Sequence, residues 1–304
     1  MHKLEPEPLL VFALVAQTGS LTTAAERLGK TQPAVSAQLK RLQESVGESL
    51  YVRHRYGITL TPTGSQLLAH ALQVKRSLES AKLFVQELKQ GQRGSLHIAA
   101  SMTVAVYLLP KVLSSFQQQN PHIQVQLLTR NTEEAKGLLE AGEADIAFIE
   151  GPLDTKDFIR RMICTDEIVF VTPSKHPLSS RQYIEGKDLQ GIHLVRRELG
   201  SGTRTVVDRA LEAMGVSVKT RLIATGVDTV KEAILHGLGA GFLSQLAVER
   251  EAKAGLLHTI PIRAQGFTRT FSMLHPELEL CSQLSRSFID FIGTYPFTKP
   301  SNPL

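Results

Sequence analysis

Three polar side chains, Gln32, Ser36 and Lys40, recur at four-residue intervals and are of types that could act together. Residues four apart lie on one face of an α-helix, so the three side chains would point in the same direction. Glutamine and serine can hydrogen-bond to nucleic-acid base edges or phosphates, and lysine supplies charge for the phosphate backbone. The pattern predicts a helix face that contacts a nucleic acid. The alternative is a solvated polar face on an ordinary helical hairpin.

Two short helices joined by a tight turn would position this face. Ser20 suits the N-cap of the first helix, and Gly29 suits its left-handed end. Thr31 can cap the second helix, and Pro33 in its first turn loses no hydrogen bond. Apolar residues at helical spacing define the buried faces, with Leu21, Ala24, Ala25 and Leu28 in the first helix and Val35, Leu39, Leu42 and Val46 in the second.

A basic hairpin is predicted directly after the second helix. Residues 50–60, LYVRHRYGITL, read as two short strands that turn near Gly57, and their alternation places Arg53 and Arg55 on one face. Thr61 and Pro62 then suit the N-cap and first position of a long helix whose free amides could face a phosphate. We expect Arg53, Arg55 and Thr61 to contact the phosphate backbone.

Residues 9–64 resemble the winged helix-turn-helix of the LysR-type transcriptional regulators. The matching segments are GSLTTAAERLG, TQPAVSAQLKRL, the pair Val46-Gly47, SLYVR at 49–53 and LTPTG at 60–64. Gln43 and Tyr51 depart from the family pattern, which usually has an acidic residue and phenylalanine at these positions. The resemblance implies binding to double-stranded DNA at a quasi-palindromic site, with RNA polymerase as a further partner. The DNA-binding residues, in and after the motif Leu21 to Lys40, would be Thr31, Gln32, Pro33, Ser36, Lys40, Arg53, Arg55 and Thr61.

Length and composition fit a globular protein with more than one domain. The chain has 304 residues, of which 42% are hydrophobic and 21% charged, enough for two or three units with sizeable cores. A net charge of +5 permits a nucleic-acid partner without requiring one. The sequence has no apolar run of transmembrane length and no recognisable signal peptide, so we expect a cytoplasmic protein without a membrane partner.

A long helix with no internal proline or glycine is predicted after Gly64. Apolar residues recur there at alternating spacings of four and three, which is the seam of a coiled coil held for about three heptads. They are Leu67, Ala71, Val74, Leu78, Ala81, Val85 and Leu88. The seam predicts a helix that dimerises the chain and presents two recognition helices to two half-sites, as a homodimer or homotetramer. The alternative is a helix packed on its own domain.

Strands and helices alternate after Gly94, which predicts mixed sheets flanked by helices. Two such lobes resemble the bilobed fold of periplasmic binding proteins and the regulatory half of the LysR family. We therefore predict an all-α winged helix-turn-helix domain at 1–62, a dimerisation linker helix at 63–91 and an α/β bilobed effector-binding domain at 92–304. Lobe I is expected at about 92–150 and 267–304 and lobe II at about 151–266, with hinges near Glu150-Gly151 and Gly266-Phe267.

Two segments could bind a ligand between the lobes. Ser101 and Thr103 follow the first strand, where hydroxyls and helix amides can bind an anion or act only as caps. Residues 196–204, RRELGSGTR, could expose amides, hydroxyls and charge, or form a plain tight turn. By analogy with family members that respond to small anions, the effector-binding residues would be Ser101, Thr103, Thr129, Ser201, Gly202, Thr203, Arg204 and Gly226. The expected effector is a small anionic metabolite, although Glu150 would repel it.

Patterns for catalysis or metal binding are absent from the sequence. The histidines lack paired-ligand spacing and no serine lies in a GxSxG turn, so we predict neither an enzyme nor a metal or cofactor site. Cys164 and Cys281 are expected to be ordinary reduced thiols, and a redox-responsive regulator that uses both is the alternative. The remaining alternatives are a solute-binding protein without a DNA role and a small-molecule enzyme. The N-terminal module and the lack of a signal peptide argue against the first, and the lack of a recognisable acid, base or nucleophile argues against the second.

Overall fold

The computed structural model describes residues 4–90 and 94–297. The chain divides into two compact units, one formed by Met1–Gln86 with Glu140–Gly142 and the other by Glu87–Leu139 with Glu143–Leu304. None of the helices in the described ranges is both long and apolar enough to span a lipid bilayer. Each unit has its own hydrophobic core.

The first unit is a helical bundle with a small hairpin. Its elements are α1 (Pro6–Thr18), α2 (Leu21–Arg27), α3 (Gln32–Val46), β1 (Tyr51–His54), β2 (Gly57–Leu60) and α4 (Pro62–Gln90). The strands pair antiparallel, with Arg53 opposite Ile58. Both predicted caps form, since Ser20 Oγ accepts from the Thr23 amide at 3.3 Å and Thr31 Oγ1 accepts from the Ala34 amide at 3.4 Å. The predicted helix-turn-helix and wing are confirmed.

Two glycines allow the hairpin to pack tightly on the helices. The Ile58 amide donates to the carbonyl oxygen of Gly19, the residue between α1 and α2, at 2.9 Å. A Cβ atom added to Gly57 would overlap this same carbonyl oxygen, and one added to Gly64 would overlap the Leu50 carbonyl. Side chains larger than hydrogen would therefore displace the hairpin or the start of α4.

The predicted coiled-coil seam divides into two parts along α4. Ala71 is buried, and Leu67 and Val74 pack against the core of the first unit. Leu78 and Val85 are 38% and 47% exposed. The first half of the helix therefore packs on its own domain, and the later apolar positions Leu78 and Val85 lie on the surface of the single chain. The side chain of Leu88 lies outside the described residues.

The second unit alternates strands and helices around a nine-stranded sheet. Its strands are β3 (Ser95–Ser101), β4 (Gln124–Arg130), β5 (Ile146–Glu150), β6 (Ile159–Pro173), β7 (His193–Arg197), β8 (Lys219–Ala224), β9 (Ala240–Ser244), β10 (Leu257–Ile260) and β11 (Thr268–His275). Its helices are α5 (Met102–Tyr107), α6 (Leu109–Gln119), α7 (Thr132–Glu140), α8 (Gly202–Ala213), α9 (Val227–Leu235), α10 (Gln245–Lys253) and α11 (Gln283–Thr294).

The sheet order is β4-β3-β5-β11-β6-β9-β7-β8, with β10 also paired to β6. Strand β6 pairs with β11 through 159–167, and then with β9 and β10 through 168–173. We call the side with β3, β4 and β5 lobe I and the side with β7 to β10 lobe II. The two-lobed α/β fold is confirmed, with β6 running through both lobes, while the predicted domain boundaries stay a prediction.

Several elements differ from the sequence prediction for local physical reasons. The helical segment between β3 and β4 is divided at Leu108 into α5 and α6, because Pro110 has no amide to donate to the preceding turn. Strand β6 begins at Ile159, in a segment whose charges obscure the strand alternation in the sequence. Helices α1 and α10 were not predicted.

Candidate functional site

The polar face of α3, formed by Gln32, Ser36 and Lys40, reaches solvent and meets the wing. Lys40 has 78% of its side chain exposed, and its ammonium group is 3.9 Å from Glu44, where an exposed ion pair contributes little. Ser36 Oγ accepts a 2.7 Å hydrogen bond from Arg53 Nη2 in β1. This bond joins the recognition helix to the wing, so Arg53 orients Ser36 in addition to carrying positive charge.

The ends of these elements are exposed as well. Thr31 and Pro33 lie on the surface at the start of α3. Arg55 is exposed between β1 and β2, with its guanidinium carbon 5.8 Å from the centre of the Tyr56 ring. At this distance the ring steadies the cation while leaving it accessible to a phosphate.

Thr61 and Gln43 both hold the backbone around the wing. The Thr61 hydroxyl donates to the Ser49 carbonyl at 2.8 Å and accepts from the Gly64 amide at 3.0 Å, so it caps α4. Its contact with a phosphate stays a prediction. Gln43 Oε1 accepts from the Leu50 amide at 2.9 Å, which fixes the approach to β1. A carboxylate oxygen could accept the same bond, so this contact is compatible with the acidic residue that the family usually has here.

Arg269 in β11 contacts both predicted ligand-binding segments of the second unit. Its Nη1 donates to the Thr203 hydroxyl oxygen at 2.8 Å, and its Nη2 donates to the Thr103 hydroxyl oxygen at 3.4 Å. The two threonines belong to different lobes, and the guanidinium between them is completely buried. One side chain therefore brings the segments 101–103 and 201–203 to a common site.

Two buried carboxylates neutralise Arg269. Glu150 Oε1 is 3.0 Å from Nη1 and Asp166 Oδ2 is 2.7 Å from Nε, and both acidic side chains are 1% exposed. Burial raises the pKa of Asp166, and the Arg269 guanidinium opposes this shift. Burial also opposes the charge of Arg269, but attraction to Glu150 and Asp166 is stronger and raises the pKa of the guanidinium. The arginine therefore remains charged.

Four buried polar atoms in and beside this site have no hydrogen-bond partner among the described residues. They are Ser101 Oγ, Ser201 Oγ, Glu150 Oε2 and Arg197 Nη1. A buried polar atom without a partner costs about 1–3 kcal/mol, so each of them is suited to bind a ligand or water. Three of the four groups, two hydroxyls and a guanidinium, can donate a hydrogen bond to a ligand. The fourth, a carboxylate oxygen, can only accept one. The set favours a ligand rich in acceptor oxygens.

Arg197 belongs to the predicted segment 196–204 and lies at the edge of this site, although it was not among the predicted effector residues. Its side chain is 1% exposed and forms two hydrogen bonds to Glu198, at 2.8 and 2.9 Å. Its Nη2 is 3.7 Å from the sulfur of Met102, which directly follows Ser101. Arg197 therefore faces lobe I from the end of β7.

Five of the predicted effector residues come together, namely Ser101, Thr103, Ser201, Gly202 and Thr203. Gly202 is required by packing, because an added Cβ would overlap the Glu150 carbonyl oxygen. The amides at the start of α8, a helix of twelve residues, lack intrahelical partners and carry the positive end of its dipole. Helix α5 has only six residues, so α8 contributes the larger field at the site.

No described contact joins the other three predicted effector residues to Arg269. Thr129 in β4 pairs with Ala100, and no described contact joins it to Arg269. Arg204 donates to the Arg197 carbonyl at 3.0 Å and pairs with Asp208 at 3.3 Å, so its charge is already used within lobe II. Gly226 borders the site, since a Cβ added there would be 3.6 Å from the Met102 sulfur. Effector contacts by these residues stay predictions.

A second set of contacts joins the lobes through α5. Tyr107 Oη donates to Asp228 Oδ1 in α9 at 3.0 Å, and the ammonium group of Lys231 lies 5.3 Å from the centre of the tyrosine ring. Lys231 also pairs with Asp228 at 3.1 Å and with Glu251 at 2.6 Å. Met102 and Tyr107 of lobe I pack against the core of lobe II. The contacts of α5 therefore depend on how the lobes are arranged.

The cysteines do not favour a redox site. Burial raises the pKa of both the Cys164 and Cys281 thiols to about 11, so thiolate is scarce at neutral pH. No group of histidine, cysteine, aspartate and glutamate in the described ranges is arranged to hold a metal ion.

A winged helix-turn-helix followed by a two-lobed α/β unit with a polar interlobe site defines a ligand-responsive DNA-binding regulator. Two family models match the chain. The model for the LysR substrate binding domain matches residues 89–295, and the model for the bacterial regulatory helix-turn-helix protein, lysR family, matches residues 7–65. The HTH-type transcriptional regulator CysL of Bacillus subtilis (strain 168) is 32% identical over 270 residues, which cover 89% of this chain and 90% of CysL.

Solved structures agree with these matches. The regulatory domain of CcmR from Synechocystis PCC6803, in complex with 2-PG, is 26% identical with a TM-score of 0.61, and the match covers 65% of this chain and 95% of that domain. A variant of full-length OxyR from Pseudomonas aeruginosa has a TM-score of 0.65 over 96% of this chain and 94% of its own, and at 24% identity it supports the fold alone. The chain belongs to the LysR family of transcriptional regulators and is not an enzyme.

Proposed function

We propose that this LysR-type regulator binds a quasi-palindromic DNA site as a homodimer or homotetramer and changes its DNA contacts when a small anion binds between the lobes. One observation carries the effector part of this proposal. The buried hydroxyls of Ser101 and Ser201 have no described hydrogen-bond partner, and their neighbours Thr103 and Thr203 bind the buried Arg269. The proposal places the protein on chromosomal DNA in the cytoplasm, with RNA polymerase as a further partner.

On the DNA side, Gln32 and Ser36 would contact base edges from the exposed face of α3. Lys40, Arg53 and Arg55 would contact the phosphate backbone, because their charges are exposed and at most weakly paired. Thr31 and Pro33 would lie at the end of α3 nearest the DNA, and Thr61 would act through the start of α4. The exposed Leu78 and Val85 support pairing of α4 with its counterpart in a second chain.

On the effector side, the ligand would accept hydrogen bonds from Ser101, Ser201 and the first amides of α8, with Arg197 Nη1 as a further donor. The charge of Arg269 is already matched by Glu150 and Asp166. Neutral hydrogen-bond donors must therefore supply most of the free energy of ligand binding. Such a site favours a small anion of low charge over a highly charged one. The CcmR regulatory domain solved with 2-PG supports a small-molecule effector for this chain as well.

Arg269 supplies a route from the ligand to the arrangement of the lobes. It holds Thr103 of lobe I and Thr203 of lobe II at once, so a ligand seated between the serines would change how these threonines share the guanidinium. A coupling of about 1–3 kcal/mol between effector and DNA sites is enough to change DNA affinity by about fivefold to 150-fold.

Footprinting of the purified full-length protein tests the proposal, beginning with DNA upstream of its own gene. The panel would contain sulfate, phosphate, sugar phosphates, organic acids and 2-PG. We expect a protected dyad whose extent or hypersensitive positions change with one anion. Protection that ignores every anion would refute the effector chemistry, and no protection at low salt and high protein concentration would refute the DNA sites assigned above.

Variants separate the predicted contacts. Thr103→Val and Ser201→Ala should each reduce the response to the active anion while leaving protection of the dyad in place. Thr259→Val is the matched control, since Thr259 lies in β10 opposite Val171 and is not among the predicted effector residues. A response unchanged in both of the first two variants would remove this cleft from the mechanism.

A further inference from the structure

A second cavity lies at the hinge of the two-lobed unit. It has a volume of about 740 Å³ and is bounded by α8, by strands β6 and β11, and by the loop that follows β5. Both predicted hinge glycines, Gly151 and Gly266, line it. They pack directly on α8, because an added Cβ would be 3.2 Å from Val206 at Gly151 and 3.3 Å from Ala210 at Gly266. We call this space the hinge groove.

The lining of the hinge groove is positively charged. Arg160, Arg209 and Arg269 line it, and no acidic residue does. Arg269 is matched by its buried carboxylates, whereas Arg209 is exposed and forms no ion pair among the described residues. Arg160 is oriented by neutral groups, donating to the Gly151 carbonyl at 3.0 Å and to Ser272 Oγ at 3.1 Å. The groove therefore contains two cations, Arg160 and Arg209, that have no counter-charge among the residues that the structure describes.

The rest of the lining is apolar on the α8 side and hydroxylated on the strand side. Val206, Ala210 and Ala213 form the helix wall, and Thr165, Thr268 and Thr270 lie on the strands. We propose that the hinge groove is a second ligand site, for a monoanion with a short hydrocarbon body. Its carboxylate would lie between Arg160 and Arg209, and its hydrocarbon would pack against α8.

Occupancy of this groove would act on the interlobe site through two structural links. Helix α8 begins at the cleft residues Gly202 and Thr203 and forms the groove wall further along. Arg269 lines the groove and also holds Thr103 and Thr203. The site is distinct from the cleft, so its existence does not depend on the effector proposed above.

Titration calorimetry on the full-length protein tests this site with hexanoate as the probe. Hexan-1-ol, which keeps the hydrocarbon and lacks the charge, is the comparison ligand. We expect hexanoate to bind in preference to hexan-1-ol, and Arg209→Gln to weaken hexanoate binding by about tenfold, the effect of removing a charge-assisted hydrogen bond. Arg209 is exposed, so this substitution should not disturb folding.

Two further variants locate the bound probe. Ala213→Leu adds bulk to the exposed helix wall and should weaken binding of hexanoate. Ser101→Ala removes a cleft hydroxyl that has no described contact with Arg269, so it should leave hexanoate binding unchanged. No hexanoate binding, equal binding of hexanoate and hexan-1-ol, or an Arg209→Gln variant with unaltered affinity would each overturn the proposal. Loss of binding in Ser101→Ala with retention in Arg209→Gln would assign the probe to the cleft instead and would also overturn it.

Discussion

At the scale of single residues, the side chains on the polar face of α3 are expected to make different kinds of DNA contact. Ser36 is oriented by Arg53 through a 2.7 Å hydrogen bond, whereas Gln32 forms no described hydrogen bond with the wing and lies at the start of the helix. Base contacts carry sequence information and phosphate contacts do not. Substitutions at Gln32 and Arg53 should therefore differ in kind as well as in size.

Gln32→Ala should relax sequence preference, because it removes a side chain that can read a base edge. Loss of such a contact costs about 1–3 kcal/mol of discrimination at one position. Arg53→Ala should weaken binding to all sequences and flatten the dependence of affinity on salt, with a change of preference only at a base that Ser36 contacts. Fluorescence anisotropy with a series of single-base variants at several salt concentrations measures both effects. An unchanged preference in Gln32→Ala would exclude it from base recognition.

The buried thiols give a pH dependence of stability. Because burial raises the pKa of Cys164 and Cys281 from 9.0 to about 11, the native chain holds these protons more tightly than the unfolded chain does. Their contribution is fully present below about pH 9 and is lost as the pH rises towards 11. Urea unfolding at about pH 8 and about pH 10 should show this fall in the free energy of unfolding. The double variant Cys164→Ala/Cys281→Ala should show a smaller fall, and an equal fall would contradict the assignment.

At the scale of elements, close backbone approach fixes the position of the wing in addition to side-chain packing. The amide of Ile58 in β2 binds the turn between α1 and α2 at Gly19, and the start of α4 lies against the backbone of Leu50. Both contacts need glycine at the point of approach. The position of the wing therefore depends on Gly57 and Gly64.

Gly64→Ala should destabilise the first unit by about 3 kcal/mol, because the new methyl group overlaps the Leu50 carbonyl and the backbone must shift. Gly47→Ala is the matched control. Gly47 has a φ of 81° and nothing within 4 Å of an added Cβ, so only the left-handed backbone is strained, at about 1 kcal/mol. Urea unfolding of both variants tests the difference. Equal losses in the free energy of unfolding would mean that the start of α4 can shift to accommodate the methyl group without an energetic cost.

The exposed end of the α4 seam leads to a prediction about assembly. Leu78→Lys and Val85→Lys would place charges on a face that we propose is buried between two chains, and should shift the protein from dimer towards monomer. Gln73→Lys, on an already exposed polar position of the same helix, should leave the dimer intact. Sedimentation velocity distinguishes the two results. A dimer that persists in both seam variants would place the contact elsewhere.

At the scale of the whole molecule, the second unit works as two lobes that share strands and meet across a polar site. The interlobe contacts lie both at its centre, through Arg269, and at one side, through Tyr107. The Tyr107–Asp228 bond has an ordinary length of 3.0 Å and joins helices of opposite lobes. It should contribute to the stability of the arrangement in which the cleft is covered.

Tyr107→Phe keeps the ring and removes only the hydroxyl, so it should loosen the contact between α5 and α9. Loss of one hydrogen bond of about 1 kcal/mol should speed amide exchange in these helices by about fivefold where exchange requires the lobes to separate. Hydrogen-exchange mass spectrometry provides the measurement. Tyr183→Phe, whose ring stacks with Arg263 within lobe II, is the control. Identical exchange in Tyr107→Phe and the wild-type protein would mean that the bond does not restrain the lobes.

The sequence predicted those parts of the fold that depend on contacts between residues close together in the chain. The caps at Ser20 and Thr31 were visible because a cap depends on neighbours within one helical turn. Only part of the interlobe site was predicted from the sequence. The segments with Thr103 and Thr203 were identified, but Arg269 was not, since it lies 166 residues from Thr103 in the chain. A usable signal did exist, because Arg269 alternates with Phe271 and Met273 in β11, and all three residues are buried. An arginine in that position has to be paired inside the protein.

Strand β6 limits how this fold can change by recombination. Its first part belongs to the sheet of lobe I and its last part to the sheet of lobe II, so any crossover that exchanged one lobe would cut through a continuous ladder of hydrogen bonds. New effector specificities should therefore arise in related genes by point substitution around the cleft, and lobe shuffling should be rare. A designer of biosensors faces the same restriction and would keep β6 and β11 from a single parent.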